Sequence, residues 1–152
     1  MATNSSRVRV MRVDAAWSTV LLSGHSDAVL SIDVLDNAIA TASKDKTCRI
    51  WRKKRDGAYA CVAKCVGHVD TVGAVALAYA LDGSMCAVSA SRDRTLKRWT
   101  GFGDASDCKE AASTASVAAH LKDVNCVSRS ADSKLMVTAR ATQGLLKTRW
   151  RR

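Results

Sequence analysis

The chain has 152 residues, with 24 Lys and Arg against 14 Asp and Glu, which gives a formal charge of +10. Hydrophobic residues make up 47% of the chain, a content typical of a folded domain and not of a disordered tail. No apolar run approaches the roughly 18 residues that a membrane helix needs, and the polar opening segment does not match a secretory signal, so we predict neither. The basic surplus favours a polyanionic partner.

The placement of the cysteines indicates the redox compartment in which the protein is found. Six are present, mostly inside apolar runs and without a CxxC pair. We therefore predict that all six are reduced, small core residues of a cytosolic or nuclear protein. They are Cys48, Cys61, Cys65, Cys86, Cys108 and Cys126.

In chain order, the local patterns predict short strands. An outer strand is expected around 18–22, and segments 29–34, 39–41 and 47–51 are rich in apolar and β-branched residues. A further strand over 59–66 leads into the next Gly-His dipeptide. Turn residues such as Asp-Asn and Asp-Gly fall where hairpins must reverse, so the elements are expected to pair antiparallel.

This pattern repeats three times, each time opening at a histidine and closing at a tryptophan. The histidine steps are 43 and 52 residues and the tryptophan steps are 48 and 51. In the first two copies an aspartate precedes the tryptophan by six residues. The opening and closing residues are His25, His68 and His120, then Trp51, Trp99 and Trp150.

A strand-and-hairpin unit with a period near 45 residues is typical of a propeller blade. The predicted fold is all-β, with three four-stranded antiparallel blades that form a partial, open propeller. The predicted units are a lead-in with an outer strand (1–23), two repeats (24–66 and 67–118) and a third, degenerate repeat (119–152). Only 110–119 remains ambiguous between helix and strand.

At these residues the chain resembles the WD-repeat family. In that family a histidine, a Ser or Thr, an aspartate and a tryptophan form a hydrogen-bonded tetrad within each blade. Carried onto this sequence, the resemblance implies the structural tetrads His25, Thr41, Asp45, Trp51 and His68, Ser89, Asp93, Trp99. Buried polar groups need such partners, since an orphaned one costs about 1–3 kcal/mol.

The same residue types could be read as a hydrolase triad or as metal ligands. Two copies at repeat spacing, each ending in tryptophan, favour a structural brace over catalysis. Each histidine would also lie in a different blade, without a second His or Cys at a zinc spacing. We therefore predict no catalytic residue, no metal, no cofactor and no enzymatic activity.

The third repeat departs from the pattern. Ala119 replaces the glycine before His120, and Gly144 stands six residues before Trp150, so the carboxylate is missing. Arginines fall at positions expected between blades and must pair, reach solvent or destabilise the fold. They are Arg129, Arg140 and Arg149 in this repeat, together with Arg98 in the second.

Three repeats are too few for the usual ring of about four to eight blades. Both end blades are expected to expose an apolar face. The chain would then be a piece of a larger propeller, a shortened copy or a subunit completed by a partner.

Segments 119–125 and 130–138, with 65–76 and 91–97 before them, are similar to WD-repeat subunits of the small-subunit processome. This resemblance implies a non-catalytic nucleolar scaffold for ribosomal RNA processing and ribosome biogenesis, held within a large complex. Its partners would be other WD-repeat and helical processome proteins and pre-ribosomal RNA, with no membrane. The alternative is a generic WD-repeat adaptor, such as a ubiquitin-ligase substrate receptor or a signalling scaffold.

One charge cluster stands out, the run Arg52, Lys53, Lys54 and Arg55. Four adjacent positive charges cannot all be buried, so an exposed connection after the third strand is expected. The cluster is a candidate contact for RNA or a protein partner, and it fits an ordinary solvated turn equally well.

Overall fold

The computed structural model describes residues 5–11, 19–102, 108–121, 123–130, 135–140 and 145–148, with the backbone alone at 140 and 145–148. Strands, turns and loops account for all of them. Within these ranges no helix is long and apolar enough to cross a membrane. The strands are β1 (Val8–Met11), β2 (Thr19–Leu22), β3 (Val29–Leu35), β4 (Ala38–Ser43), β5 (Cys48–Lys53), β6 (Tyr59–Cys65), β7 (Val72–Tyr79), β8 (Met85–Ser91), β9 (Thr95–Trp99), β10 (Lys109–Ala111), β11 (Ala115–Ala118), β12 (Val124–Arg129), β13 (Met136–Arg140) and β14 (Leu145–Thr148).

Three antiparallel sheets form successive blades. The first blade is β3-β4-β5-β6, the second is β7-β8-β9-β11 and the third is β12-β13-β14. The predicted all-β partial propeller is thereby confirmed. Two details differ from the expected three sheets of four: the third blade has three described strands, and the first has a fifth, because β10 pairs in parallel with β6.

The segment that the sequence left ambiguous, 110–119, is divided between two sheets. Lys109–Ala111 forms β10 on the edge of the first blade, and Ala115–Ala118 forms β11 on the edge of the second. Thr114 fixes the change of direction, because its backbone N–H and its hydroxyl both donate to the carbonyl of Arg98, at 2.8 and 3.1 Å. No sequence periodicity marks such a division.

The apolar core lies between the sheets, as the two-residue alternation of strands requires. Ile50 of the first blade and Leu77 and Trp99 of the second belong to one buried cluster. Val88 and Leu96 of the second blade form another with Val124 of the third. Each blade is therefore held mainly by the blade beside it.

The first blade does not expose the apolar end face that the sequence led us to expect. The hairpin β1-β2 covers it, with Val8 and Leu22 in one buried cluster with Val29, Ile39 and Trp51. The strand predicted around 18–22 is β2, and its partner β1 was not predicted. Trp51 is thereby buried, at 4% exposure.

The connections between strands fall on two opposite rims of the blades. The β3-β4 turn and the β5-β6 connection share one rim, where the N–H of Lys53 donates to the carbonyl of Asn37 at 2.9 Å. We call it the hairpin rim. The β4-β5 and β8-β9 turns lie on the other, the tetrad rim, together with the Gly-His loops.

Candidate functional site

The first tetrad joins four elements of one blade. His25 precedes β3, Thr41 lies in β4, Asp45 lies in the turn after it and Trp51 lies in β5. The His25 Nδ1–H donates to Asp45 Oδ2 at 2.8 Å, because a carboxylate can only accept. His25 Nε2 then accepts from the Thr41 hydroxyl at 2.7 Å, and that hydroxyl accepts from Trp51 Nε1 at 3.0 Å.

The second tetrad repeats this arrangement within the second blade. His68 Nδ1 donates to Asp93 Oδ2 at 2.7 Å, and Nε2 accepts from Ser89 at 2.7 Å. Trp99 Nε1 donates to the Ser89 hydroxyl at 2.8 Å. The structure thus brings together the residues of both predicted tetrads.

Each carboxylate also fixes the loops around it. Asp45 accepts from the backbone N–H of Ser26 at 3.1 Å and from the N–H and hydroxyl of Thr47, at 3.0 and 2.7 Å. Asp93 accepts in the same way from Val69 and Thr95. The tetrad therefore stabilises the shape of the tetrad rim as well as the inside of the blade.

These contacts set the charge state of the braces. Burial by itself would raise the pKa of Asp45, but the hydrogen bonds from His25, Thr47 and Ser26 outweigh it and hold that pKa well below its ordinary value. Burial would also raise the pKa of Asp93, but the hydrogen bonds from Thr95 and His68 outweigh it and lower that pKa to about 2. Burial lowers the pKa of His68 although Asp93 opposes the change. In the second blade, an ionised Asp93 beside a neutral His68 is expected at neutral pH.

Burial argues against a hydrolytic role for these groups. The hydroxyl-bearing side chains Thr41 and Ser89 are 0% exposed, and each hydroxyl already binds a tryptophan. A nucleophile must reach the carbonyl that it attacks. The arrangement can hold a blade together, but it presents no hydroxyl to a substrate.

The third blade keeps only half of the arrangement. His120 Nε2 lies 3.0 Å from the Thr138 hydroxyl, and both residues are buried. His120 Nδ1 is buried and has no hydrogen-bond partner among the described residues. The blade therefore retains a buried imidazole without the carboxylate that supports it elsewhere.

The strand register also changes how the third repeat is aligned. Ile39 pairs with Trp51 and Ala87 with Trp99, but Met136 pairs with Thr148. Thr148 therefore occupies the tryptophan position, not Trp150 as the spacing predicted. Trp150, Gly144 and Arg149 lie outside the described residues.

Two serines that the prediction did not include join the turns to the Gly-His loops. The Ser43 hydroxyl accepts from the N–H of Asp45 at 3.1 Å and lies 3.0 Å from the carbonyl of Asp27. Ser91 binds Asp93 and Asp70 in the same way, at 3.0 and 3.1 Å. A serine two residues before each tetrad aspartate was the signal in the sequence.

The basic cluster begins within the sheet. Arg52 and Lys53 are the last residues of β5, and Lys54 and Arg55 follow in the connection on the hairpin rim. Arg52 is half-buried and the other three are exposed. Arg52 and Lys53 line a groove of about 650 Å³ between the first and second blades. The strand thus runs further into the cluster than predicted.

The expectation of six reduced cysteines does not hold for one pair. Cys61, in β6, is disulfide-bonded to Cys108, just before β10, and their Cα atoms are 5.0 Å apart. The remaining four cysteines are free. The pairing was not predictable because the two residues are 47 apart in sequence and meet only through the β10-β6 contact.

Several curated proteins are similar to nearly the whole chain. Transducin beta-like protein 3 of Rattus norvegicus is 31% identical over 149 residues, covering 91% of this chain and 18% of the relative. The Homo sapiens protein of the same name is 30% identical over 150 residues, with the same shares. U3 small nucleolar RNA-associated protein 13 of Saccharomyces cerevisiae is 31% identical over 157 residues, covering 91% and 19%. The chain spans about a fifth of the length of these relatives, and matches over 91% of it confirm the resemblance inferred from the sequence.

A solved structure supports the fold independently. A chain in Chaetomium thermophilum Polycomb Repressive Complex 2 bound to GSK126 superposes with a TM-score of 0.73 at 23% identity, over 91% of this chain and 32% of that one. The model of the family "WD domain, G-beta repeat" matches residues 17–52 and 59–100. Each span begins at the strand that precedes a tetrad blade, β2 or β6, and continues through the three inner strands of that blade. Because these spans include more than half of its residues, the chain belongs to the WD-repeat family.

Proposed function

We propose that the chain is a non-catalytic scaffold in nucleolar processing of small-subunit ribosomal RNA, acting within a large complex. The observation that carries this proposal is the similarity to transducin beta-like protein 3 and U3 small nucleolar RNA-associated protein 13 over 91% of the chain. The tetrads support the absence of catalysis, because their reactive groups are buried and mutually bonded. The partners would be other WD-repeat and helical processome proteins and pre-ribosomal RNA, and the location would be the nucleolus.

The units of this scaffold are proposed to be the lead-in 1–23 and the repeats 24–66, 67–118 and 119–152. The first two repeats would each present one complete tetrad blade. The strand β10 supports a closer coupling between them, since it lies within 67–118 but pairs with β6 of the preceding unit.

We propose that Arg52, Lys53, Lys54 and Arg55 form the contact with RNA phosphates. Three of the four are exposed next to a groove between the blades. Several of these cations could neutralise the phosphates of one RNA strand at once. Acidic residues also line that rim, among them Asp36 and Asp82, so the cluster and not the rim as a whole would supply the affinity.

The test compares two four-charge variants that remove the same charge from opposite rims. One replaces the cluster with glutamine, and the matched control replaces the exposed Lys44, Lys46, Arg92 and Arg94 of the tetrad rim. Binding of a ribosomal RNA precursor transcript is measured from low to high salt. The cluster variant should flatten the log–log salt slope by up to about 3, since each phosphate contact on a single strand contributes about 0.7.

Equal flattening by both variants would contradict a specific contact at the cluster. Co-purification of the intact chain from nucleolar extract tests the scaffold itself. Recovery of processome proteins supports it. Recovery of a ubiquitin ligase or signalling complex without RNA-processing proteins would favour the alternative, a generic WD-repeat adaptor.

A further inference from the structure

The Cys61–Cys108 pair lies where the chain crosses from the second blade to the outer edge of the first. After Trp99 the chain leaves the second blade, reaches the edge of the first at 108–111, and returns as β11. Cys61 is half-buried and Cys108 is exposed, so small reagents in solution can reach the pair. The bond therefore links the first blade, at the protein surface, to the segment that crosses from the second.

A guanidinium group stands beside both sulfurs. Arg49 Nη1 lies 3.7 Å from Cys61 Sγ and 3.9 Å from Cys108 Sγ. A cation this close favours the thiolate, the form that attacks disulfides. Gly24 leaves space for it, because a Cβ there would lie 2.9 Å from Arg49 Nη1.

The other cysteines do not share this setting. Burial raises the pKa of the Cys65 thiol to about 12, and it also raises the pKa values of Cys48 and Cys86. Cys126 is exposed but is not bonded to another cysteine. Within the described residues, only Cys61 and Cys108 combine solvent access, a partner thiol and a neighbouring cation.

The bond holds a short strand that has few other contacts. The strand β10 pairs with β6 over three residues, and Val66 N–H donates to the carbonyl of Ala111 at 3.2 Å. Lys64 and Glu110 add an exposed ion pair at 2.8 Å, which solvent screens. Ala111 packs against the core cluster, but the contact is small, so we expect it to loosen when the covalent link is reduced.

We propose that Cys61 and Cys108 form a reversible modification site, at which a low-molecular-weight disulfide such as oxidised glutathione locks β10 onto the first blade. One cysteine thiolate attacks the glutathione disulfide, forming a mixed disulfide and releasing one glutathione thiolate. The second cysteine thiolate then attacks the mixed disulfide, forming the Cys61–Cys108 bond and releasing the other. The two cysteines lose two electrons, the reagent gains them, and the two protons end on the two glutathione thiols. This site does not depend on the proposed function.

The experiment treats the reduced intact chain with oxidised glutathione at neutral pH. We expect its mass to fall by two hydrogen atoms and peptide mapping to show a Cys61–Cys108 link. Hydrogen exchange at the Val66 amide and across 108–113 should be slower in the oxidised form. Arg49→Gln should slow the reaction about threefold, because loss of the cation lowers the thiolate fraction and the greater nucleophilicity of a more basic thiolate offsets this only in part.

The controls separate the pair from the remaining cysteines. Cys126→Ser removes an exposed thiol outside the pair, together with any glutathione adduct at that thiol, and should leave the Cys61–Cys108 link unchanged. Cys61→Ser and Cys108→Ser should each stop at a stable glutathione adduct, and Cys61→Ala serves if the serine variant does not fold. A wild-type chain that stops at this adduct, links Cys108 to Cys126, or shows the same exchange at Val66 in both forms would overturn the proposal.

Discussion

The Asp33 carboxylate of β3 accepts a hydrogen bond from the backbone N–H of Leu77 in β7, at 2.7 Å. It thus joins the inner strands of two consecutive blades. Beside it the Ser31 hydroxyl accepts from the N–H of Val75 at 3.4 Å, and the Tyr79 hydroxyl donates to Asp36 at the hairpin rim. Ala76 occupies the place of Asp33 in the second blade, so the same link to the third blade is missing.

From this link we expect Asp33→Ala to destabilise the fold by about 1–2 kcal/mol, because the Leu77 amide loses its acceptor in a half-buried place. Asp33→Asn should lose much less stability, since its amide oxygen can still accept the hydrogen bond from the Leu77 N–H. Denaturant unfolding of the three proteins measures the difference. Equal losses in both variants would show that the negative charge, not the hydrogen bond, matters there.

The tetrads predict a second set of stability changes. Asp45→Ala and Asp93→Ala should each cost about 1–3 kcal/mol, because each leaves a buried histidine Nδ1 without its acceptor. Asp56→Ala, in the exposed turn after the basic cluster, is the matched control and should cost much less. The outcome that contradicts the bracing role is the same change in unfolding free energy for all three.

Acid should weaken the second blade over a defined range. The folded-state pKa values of His68 and Asp93 are both lower than their ordinary values, so the unfolded chain binds more protons at low pH. The stability that these two groups contribute is complete above about pH 6.5. It begins to fall as the histidine of the unfolded chain protonates, and it falls further between about pH 4 and pH 2. Thermal unfolding from pH 7 to 2 tests this, and Asp93→Asn should reduce the slope below pH 4.

Protection should decrease along the arc of blades. In stacked repeats a local defect remains mostly local, and the third blade lacks the carboxylate beside His120. Hydrogen exchange of the intact chain should show amides of β12 and β13 opening at lower free energy than those of β4 and β5. Equal protection would mean that another interaction supports the third blade.

The register of β14 can be tested by restoring the missing acid. If Thr148 occupies the tryptophan position, position 142 corresponds to Asp45, and Thr142→Asp should stabilise the chain by about 1 kcal/mol or more. Gly144→Asp, the substitution that the spacing to Trp150 would favour, should add little stability. Greater stabilisation by Gly144→Asp would restore the alignment on Trp150.

Repetition explains which features could be predicted. The first two repeats carry the same side chains at the same spacing, so His25, Thr41 and Trp51 could be identified together, and in the structure they lie within hydrogen-bonding distance. The alignment on Trp150 failed because a tryptophan at nearly the right spacing hides a two-residue difference in strand register. The Cys61–Cys108 bond depends on a parallel strand pairing of only three residues, which is too short to produce a recognisable pattern in the sequence.

The parallel strand β10 also limits how this chain can be rearranged. The outer edge of the first blade is completed by residues that come after the whole of β7, β8 and β9. An in-frame deletion or duplication of the second unit would therefore remove or double a strand that its neighbour uses. The first two blades therefore form one structural block, and gene rearrangements that exchange single repeats should be tolerated only at boundaries outside it.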